Sequence, residues 1–405
     1  MIGFCQPGRE VGDHRMVTAY ERSWSVTGDD MFSVSRRTVL AAPCLGALAT
    51  SAVGGASVPP GDPLAGLPAW MELASVPGVS WAVVNAAGGI SHGAAGYAKA
   101  SGVPATVDTL FEAASLSKAV LAVAVHDLVR VGLIDLDRPV GAYVSFSDDI
   151  RTRTITARHL LSHTSGLPNW RDEADEGLKS AFVPGTKFRY SGEGYVLLGR
   201  MVEVVTGQTA AQVVETRVLR PAGMHRSTYG WPRGTEPAVA WAHDGSGAVL
   251  ADQGPAAFAI RRDAGPSTPV DRWTQAEREK AAVALGRPAM PIFMTPNMAA
   301  GLWTTAGDYA RFLIFAQRYP ELSTPTIPVR GTLDWGLGWG LERGTGQSFA
   351  WHWGANDGVA NLFAVDLASR AAIVVLTNGD SGRRVYERAA RSHFSREFDA
   401  FAWLS

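Results

Sequence analysis

Cysteine is almost missing from this chain of 405 residues: the two it has, Cys5 and Cys44, fall within the first 50 positions. Everything after them is therefore free of disulfides, thiol nucleophiles and cysteine-held metal. An excess of either charge is missing as well, because 37 Lys and Arg stand against 38 Asp and Glu, for a formal net charge of −1. That balance leaves no basic field to gather nucleic acid or an anionic membrane surface. No G-x-S-x-G elbow stands between a strand and a helix, where an α/β-hydrolase mounts its nucleophile; the match at Gly89-Ile-Ser91-His-Gly93 falls inside a stretch with the turn signals of a hairpin. A hydrophobic content of 46 % excludes a disordered chain, and the length gives room for one large domain or two intimate ones around a sizeable core. The partner left by these exclusions is a small molecule, a peptide or an ester.

Residues 31–60, "MFSVSRRTVLAAPCLGALATSAVGGASVPP", carry the paired Arg36 and Arg37, an apolar run of signal-peptide length and then small residues. The run is too short to be a stable membrane span. "SRRTVL" resembles a bacterial twin-arginine export signal, a route for folded proteins that suits a cysteine-free body. Residues 31–58 are read as that signal, with the twin-arginine machinery as partner and an exported destination, periplasmic or extracellular. Pro43 before Cys44 is the wrong neighbour for lipidation, so no stable membrane anchor is expected once the signal is removed. Residues 1–30 have no apolar periodicity and read as a non-native or disordered extension upstream of a start at Met31.

Further on, "GVSWAVVNAAGGISHGAAGYA" (78–98) reads as a β-hairpin around Ala86-Ala87-Gly88-Gly89. Apolar density over 115–132 predicts a buried helix, and "TITARHLLSHTSGLPNW" a short helix stopped at Thr164-Ser165-Gly166. Residues 193–218 predict two helices divided at Gly207. A helical piece is expected near 274–286, then strand, turn, strand, turn, strand over 349–380 and a last helix over 382–398. Strands at both ends with helices between them predict an α+β fold, an antiparallel sheet flanked by helices, with a mostly helical insertion. The expected division is 65–150 with 300–400 for the sheet domain and 151–299 for the insertion.

Within that frame Ser115-Leu-Ser-Lys118 opens the buried helix. Three positions apart, the hydroxyl and the amine share one helical face, and an amine desolvated by Val120 and Leu121 can activate a serine. Serine is also a favoured N-cap, so the pair alone is ambiguous. Two more motifs follow in order: Tyr190-Ser-Gly192 in "FRYSGEGYVLLG", and His352-Trp-Gly354 in "AWHWGANDG".

Together with "LLSHTSGLP" (160–168), "GLWTTAGDYARFL" (301–313) and "IVVLTNGD" (373–380), these motifs give a sequence that resembles the serine β-lactamase and penicillin-recognising hydrolases. The likeness is to the class C, esterase and D-aminopeptidase branch. The resemblance implies a cleft between sheet and helical parts, Ser115 as nucleophile, Lys118 as its base partner and Tyr190 as second base or proton shuttle. It implies His352 at the head of the strand lining the cleft, with Gly192, Trp353 and Gly354 at the substrate. It further implies an oxyanion hole from the N–H groups of Ser115 and Ala355. Whether Lys118 or Tyr190 takes the proton stays open at this point.

Two departures stand out. The second motif ends in Gly192 where the family usually has an amide-bearing Asn, and the third begins with His352 where β-lactamases usually have Lys. A histidine of ordinary pKa, about 6.5, is mostly neutral at pH 7 and gains charge as pH falls. The expectation is a serine hydrolase that forms an acyl-enzyme on a small ester, amide or D-amino-acid peptide without a cofactor, and that handles β-lactams poorly. Two alternatives are weighed. One is a non-catalytic binder of cell-wall peptide using tryptophans such as Trp170 and Trp353 as platforms. The other is a zinc hydrolase using His159 and His163 at i and i+4, which lacks the glutamate of H-E-x-x-H.

Overall fold

The computed structural model describes residues 64–404 apart from 100–101, 148, 172–176, 232–237, 251–293 and 345. The upstream extension, the export signal and the helical piece at 274–286 lie outside the described residues.

After a short helix α1 (Leu67–Leu73), β1 (Gly78–Val84) and β2 (Ile90–Lys99) form the expected hairpin. Asn85 closes it, its side-chain oxygen accepting from the N–H groups of Ala87 and Gly89, which is how an Asx residue imitates a turn. Two-residue β3 (Val103–Pro104) forms one edge of the sheet. A second, three-stranded sheet places β4 (Phe111–Glu112), β5 (Thr228–Tyr229) and β6 (Leu302–Thr304) in the order β4-β6-β5. The C-terminal part adds β7 (Ile327–Arg330), β8 (Leu333–Trp335), β9 (Gly340–Arg343), β10 (Ser348–Asn356), β11 (Val359–Asp366) and β12 (Ala372–Thr377). The main sheet is antiparallel, with nine strands in the order β3-β2-β1-β12-β11-β10-β9-β8-β7. Its first long strand and its last are therefore neighbours, Val79 opposite Thr377.

Both faces of this sheet are covered, so its central strands are apolar without alternation and β11 and β12 are buried at every position. Ala82, Val84, Val374 and Leu376 point to one face, where they meet α2 (Leu116–Arg130) and α6 (Ala306–Ala316). Val79, Ile373 and Val375 point to the other, against α1, α7 (Arg383–Phe394) and α8 (Asp399–Leu404). Between the two strand-rich ends the chain forms α3 (Ala157–Leu161), α4 (Gly192–Thr206) and α5 (Ala210–Val214). These close over α2 in the same apolar cluster. Gly207 divides α4 from α5 at φ 68°, a left-handed C-cap that glycine adopts without strain. Helix α2 is buried at 12 of its positions, Ser117 and Lys118 included, and that burial sets up the chemistry at its N-terminus.

Candidate active site

The site is built at an elbow. From β4 the chain passes Ala113, whose N–H donates to Leu302 O at 2.8 Å, to Ala114 at φ 47° and then into α2. A left-handed alanine costs about 1–2 kcal/mol, and the neighbouring bonds hold it there. Ser117 Oγ donates to Ala114 O at 2.6 Å and accepts from Leu302 N at 3.0 Å. Ser115 is the N-cap residue by position, yet its side chain makes no capping bond. Its hydroxyl instead receives Lys118 Nζ at 2.9 Å. The N–H groups of Leu116, Ser117 and Lys118 are spent on the turn, while that of Ser115 has no partner among the described residues.

Lys118 is fully buried and also donates to Ala299 O at 2.9 Å. Burial disfavours its charged form and lowers its pKa from the ordinary 10.5 to about 7. Nζ lies 4.9 Å from the centre of the Tyr190 ring. Burial pushes the Tyr190 phenol well up, eased only in part by the nearby Ser115 hydroxyl. The phenol oxygen is buried but makes no hydrogen bond of full geometry.

Tyr190 is bracketed by a residue whose part in the site the sequence did not disclose. His163 accepts from Arg189 N through its carbonyl at 2.7 Å and from Ser191 N through Nδ1 at 3.1 Å. Its ring packs 4.3 Å from that of Tyr190. Because Nδ1 accepts, the ring proton is on Nε2. Burial, with Lys118 and His352 nearby, holds this imidazole neutral, well below the usual histidine range. The zinc reading of His159 and His163 is thereby corrected. Helix α3 ends at Leu161, His163 lies beyond it at φ 55°, and His159 Nδ1 accepts Thr156 N in a capping box. The two rings do not share a helical face.

Gly192 also differs from expectation. It has no room for a side chain: a Cβ there would lie 2.8 Å from both the Asn169 carbonyl and the Trp170 ring. The place of the missing amide is taken by an indole. Gly192 N donates to Asn169 Oδ1 at 2.9 Å and Glu193 N to Asn169 O at 2.9 Å. Glu193 Oε1 accepts from Arg171 N at 3.2 Å and pairs with its Nε at 3.1 Å.

On β10 the outcome is mixed. Gly354 faces α2, where any Cβ would run into the Ala113 carbonyl and lie 3.2 Å from Leu116 N. This close approach brings β10 against the first turn of α2, and Ala355, the next residue along the strand, is exposed. Trp353, half-buried, packs 4.8 Å from the Tyr190 ring. His352, expected at the cleft and gaining charge as pH falls, is instead fully buried behind Tyr190, its Nδ1–H donating to Trp353 O at 2.6 Å. Burial, reinforced by Lys118, lowers its pKa to about 3, so it stays neutral at ordinary pH. β9 pairs only with Ser348–Trp351 whereas β11 pairs with Phe349–Asn356, which among the described residues leaves the outer edge of β10 past Trp351 without a strand partner. At its end Asn356 donates to buried Glu112 on β4, tying this edge to the strand that feeds the elbow.

The sheet topology, with Ser115, Lys118 and Tyr190 gathered at the N-terminus of α2, marks a penicillin-binding-protein-like α+β fold. The chain belongs to the β-lactamase family, whose profile matches residues 69–396, and so to the serine hydrolases of that fold. It is 29 % identical to penicillin-binding protein 4 of Amycolatopsis lactamdurans over 328 residues, 75 % of this chain and 81 % of that protein. Esterase EstB of Burkholderia gladioli is 33 % identical over 174 residues, covering 33 % of this chain and 43 % of the esterase. Among solved structures, the octameric penicillin-binding protein homologue from Pyrococcus abyssi superposes with a TM-score of 0.63 at 21 % identity, over 83 % of this chain and 78 % of that one.

Proposed function

We propose that the protein is an exported serine hydrolase that cleaves small esters through an acyl-enzyme on Ser115. The observation that carries this is the 2.9 Å bond between Ser115 Oγ and an amine held near pKa 7. At neutral pH about half of such an amine is unprotonated. Lys118 takes the hydroxyl proton as Oγ bonds to the substrate carbonyl carbon. The resulting oxyanion lies between the N–H groups of Ser115 and Ala355, donors of a kind worth about 3 kcal/mol each. As the tetrahedral carbon collapses, the bond to the leaving oxygen breaks and that oxygen takes the proton back from Lys118, relayed by the Tyr190 hydroxyl. Water then repeats the sequence on the ester carbonyl, freeing the acid and restoring Ser115. The upward push on Tyr190 supports this division, with the phenol keeping its proton and Lys118 acting as the base.

The open edge of β10 supports an extended acyl compound lying along the strand. The neutral, buried His352 and the indole at Gly192 supply neither the cation nor the amide that would suit a β-lactam. A fluorophosphonate should therefore add one label to the wild type and none to Ser115→Ala, as read by intact mass. p-Nitrophenyl butanoate should be turned over with higher kcat/KM than nitrocefin. Equal labelling of both proteins would move the nucleophile elsewhere, and binding without any label would favour a peptide-binding module.

Export rests on the sequence of residues 31–58. The mature protein should begin between roughly residues 50 and 60. Secretion unchanged in the double substitution Arg36→Lys, Arg37→Lys would eliminate the twin-arginine route.

A further inference from the structure

The 169–171 segment is tied to the first turn of α4 at both of its ends. Asn169 takes two N–H groups from the first turn of α4 through its side chain and its carbonyl. Two residues on, Arg171 is tied to Glu193, a carboxylate only 9 % exposed, through both its backbone and its side chain. Trp170 lies between these anchors. Its indole covers Gly192 on one side, and on the other its ring centre is 6.0 Å from Lys118 Nζ, which is bonded to Ser115 Oγ. Half-buried, it presents an aromatic surface one side chain away from the serine. Only glycine fits beneath it, so the ring and the absence of a side chain at 192 are two halves of one arrangement.

We propose that Trp170 is the specificity-determining residue of the acyl side of the site. Its indole is an apolar wall that selects substrates with a hydrocarbon group next to the scissile carbonyl and disfavours those with an acylamino group there. An amide laid against an indole face loses its water and finds no partner, whereas an alkyl chain gains contact. A site without the matching donor discriminates against the polar analogue through the unrepaid desolvation of that group, a smaller effect than the one by which a polar site rejects an apolar ligand. The inference rests on acyl-enzyme formation at Ser115, and the experiment keeps the two apart.

The comparison uses p-nitrophenyl pentanoate and its acylamino counterpart of equal chain length, p-nitrophenyl N-acetylglycinate, each rate divided by that of hydroxide-catalysed hydrolysis. In the wild type the corrected kcat/KM should favour pentanoate by about tenfold or more, the scale of one lost polar pairing. Trp170→Ala should shrink that ratio at least tenfold, and Trp170→Ala combined with Gly192→Asn, which restores an amide where the ring stood, should invert it. Trp170→Phe, which keeps an aromatic wall, should retain the wild-type order and serves if the alanine variant does not fold. Fluorophosphonate labelling of Ser115 confirms an intact site in each variant. A ratio in Trp170→Ala within twofold of the wild type, with Ser115 still labelled, overturns the role of Trp170 and leaves the hydrolase standing. Ester turnover surviving in Ser115→Ala overturns the acyl-enzyme and the inference with it.

Discussion

Lys118 governs how activity should vary with pH. Since the folded protein holds its amine at about 7, the free base grows as pH rises through that value, and kcat/KM for a neutral ester should climb through one limb centred there. The same shift acts on stability. Between about 7 and the ordinary 10.5 the unfolded chain binds a proton that the folded chain does not, so the contribution of Lys118 to stability increases with pH across that window. Lys118→Ala should lose about a hundredfold or more in kcat/KM together with the limb, the range for a positioned acid–base group. His352→Gln should leave the limb in place, because that imidazole is already neutral at every pH of interest. His163 gives a sharper contrast. Asn tolerates φ near +55° and can accept Ser191 N as Nδ1 does, whereas Leu can do neither. His163→Asn should keep kcat within about tenfold and His163→Leu should lose more with KM little changed, the sign of a displaced Tyr190 rather than a lost binding contact. A common fall in KM and kcat for both variants would leave His163 a packing residue only.

At the scale of elements, the approach of β10 to α2 is the distance on which the site depends. Gly354→Ala must push the strand away from the Ala113 carbonyl. An overpacking cost of about 1–3 kcal/mol is expected in urea unfolding, along with a loss of kcat/KM beyond tenfold if the proposed oxyanion hole joins Ser115 N–H to Ala355 N–H across this contact. Ala114→Val tests the elbow: a β-branched residue resists φ 47°, so stability and the rate of Ser115 labelling should fall together. Retention of both would show that the turn does not hold the serine. These two positions also mark the limit of what could be read from the sequence. Helix α2, the division at Gly207 and the three strands of 349–380 were legible because burial writes itself as local periodicity. The Ser-x-x-Lys face was legible for the same reason, being one turn of helix. Ala114 was not, since nothing in an alanine announces a left-handed conformation. Trp170 over Gly192 was not either, since it depends on bonds between residues more than twenty positions apart. His352 was placed on the right strand and given the wrong electrostatics, because its burial comes from Tyr190, Trp335 and Trp353 together.

For the whole molecule, the pairing of β1 with β12 makes one sheet of the two strand-rich ends. Tryptophan fluorescence and the ability to label Ser115 should therefore vanish in one coincident urea transition. Two separated midpoints would show that the serine and β10 belong to independently stable parts. Removing residues from Ala372 onward takes away β12, which pairs with both β1 and β11, together with α7 and α8, two of the three helices on the far face. That truncated chain should neither label nor resist protease. There is a consequence in time as well as in space. The serine is made at position 115, but the last strand of the sheet that backs it ends at Thr377, so a ribosome must add more than 250 further residues before the site can exist. Pairing across so long a separation is slow to form, and a partly made chain carries a silent serine. Reactivity in this protein is thus a report that β12 has been made and paired, and a chain arrested before residue 372 should stay unlabelled until it is extended past that strand.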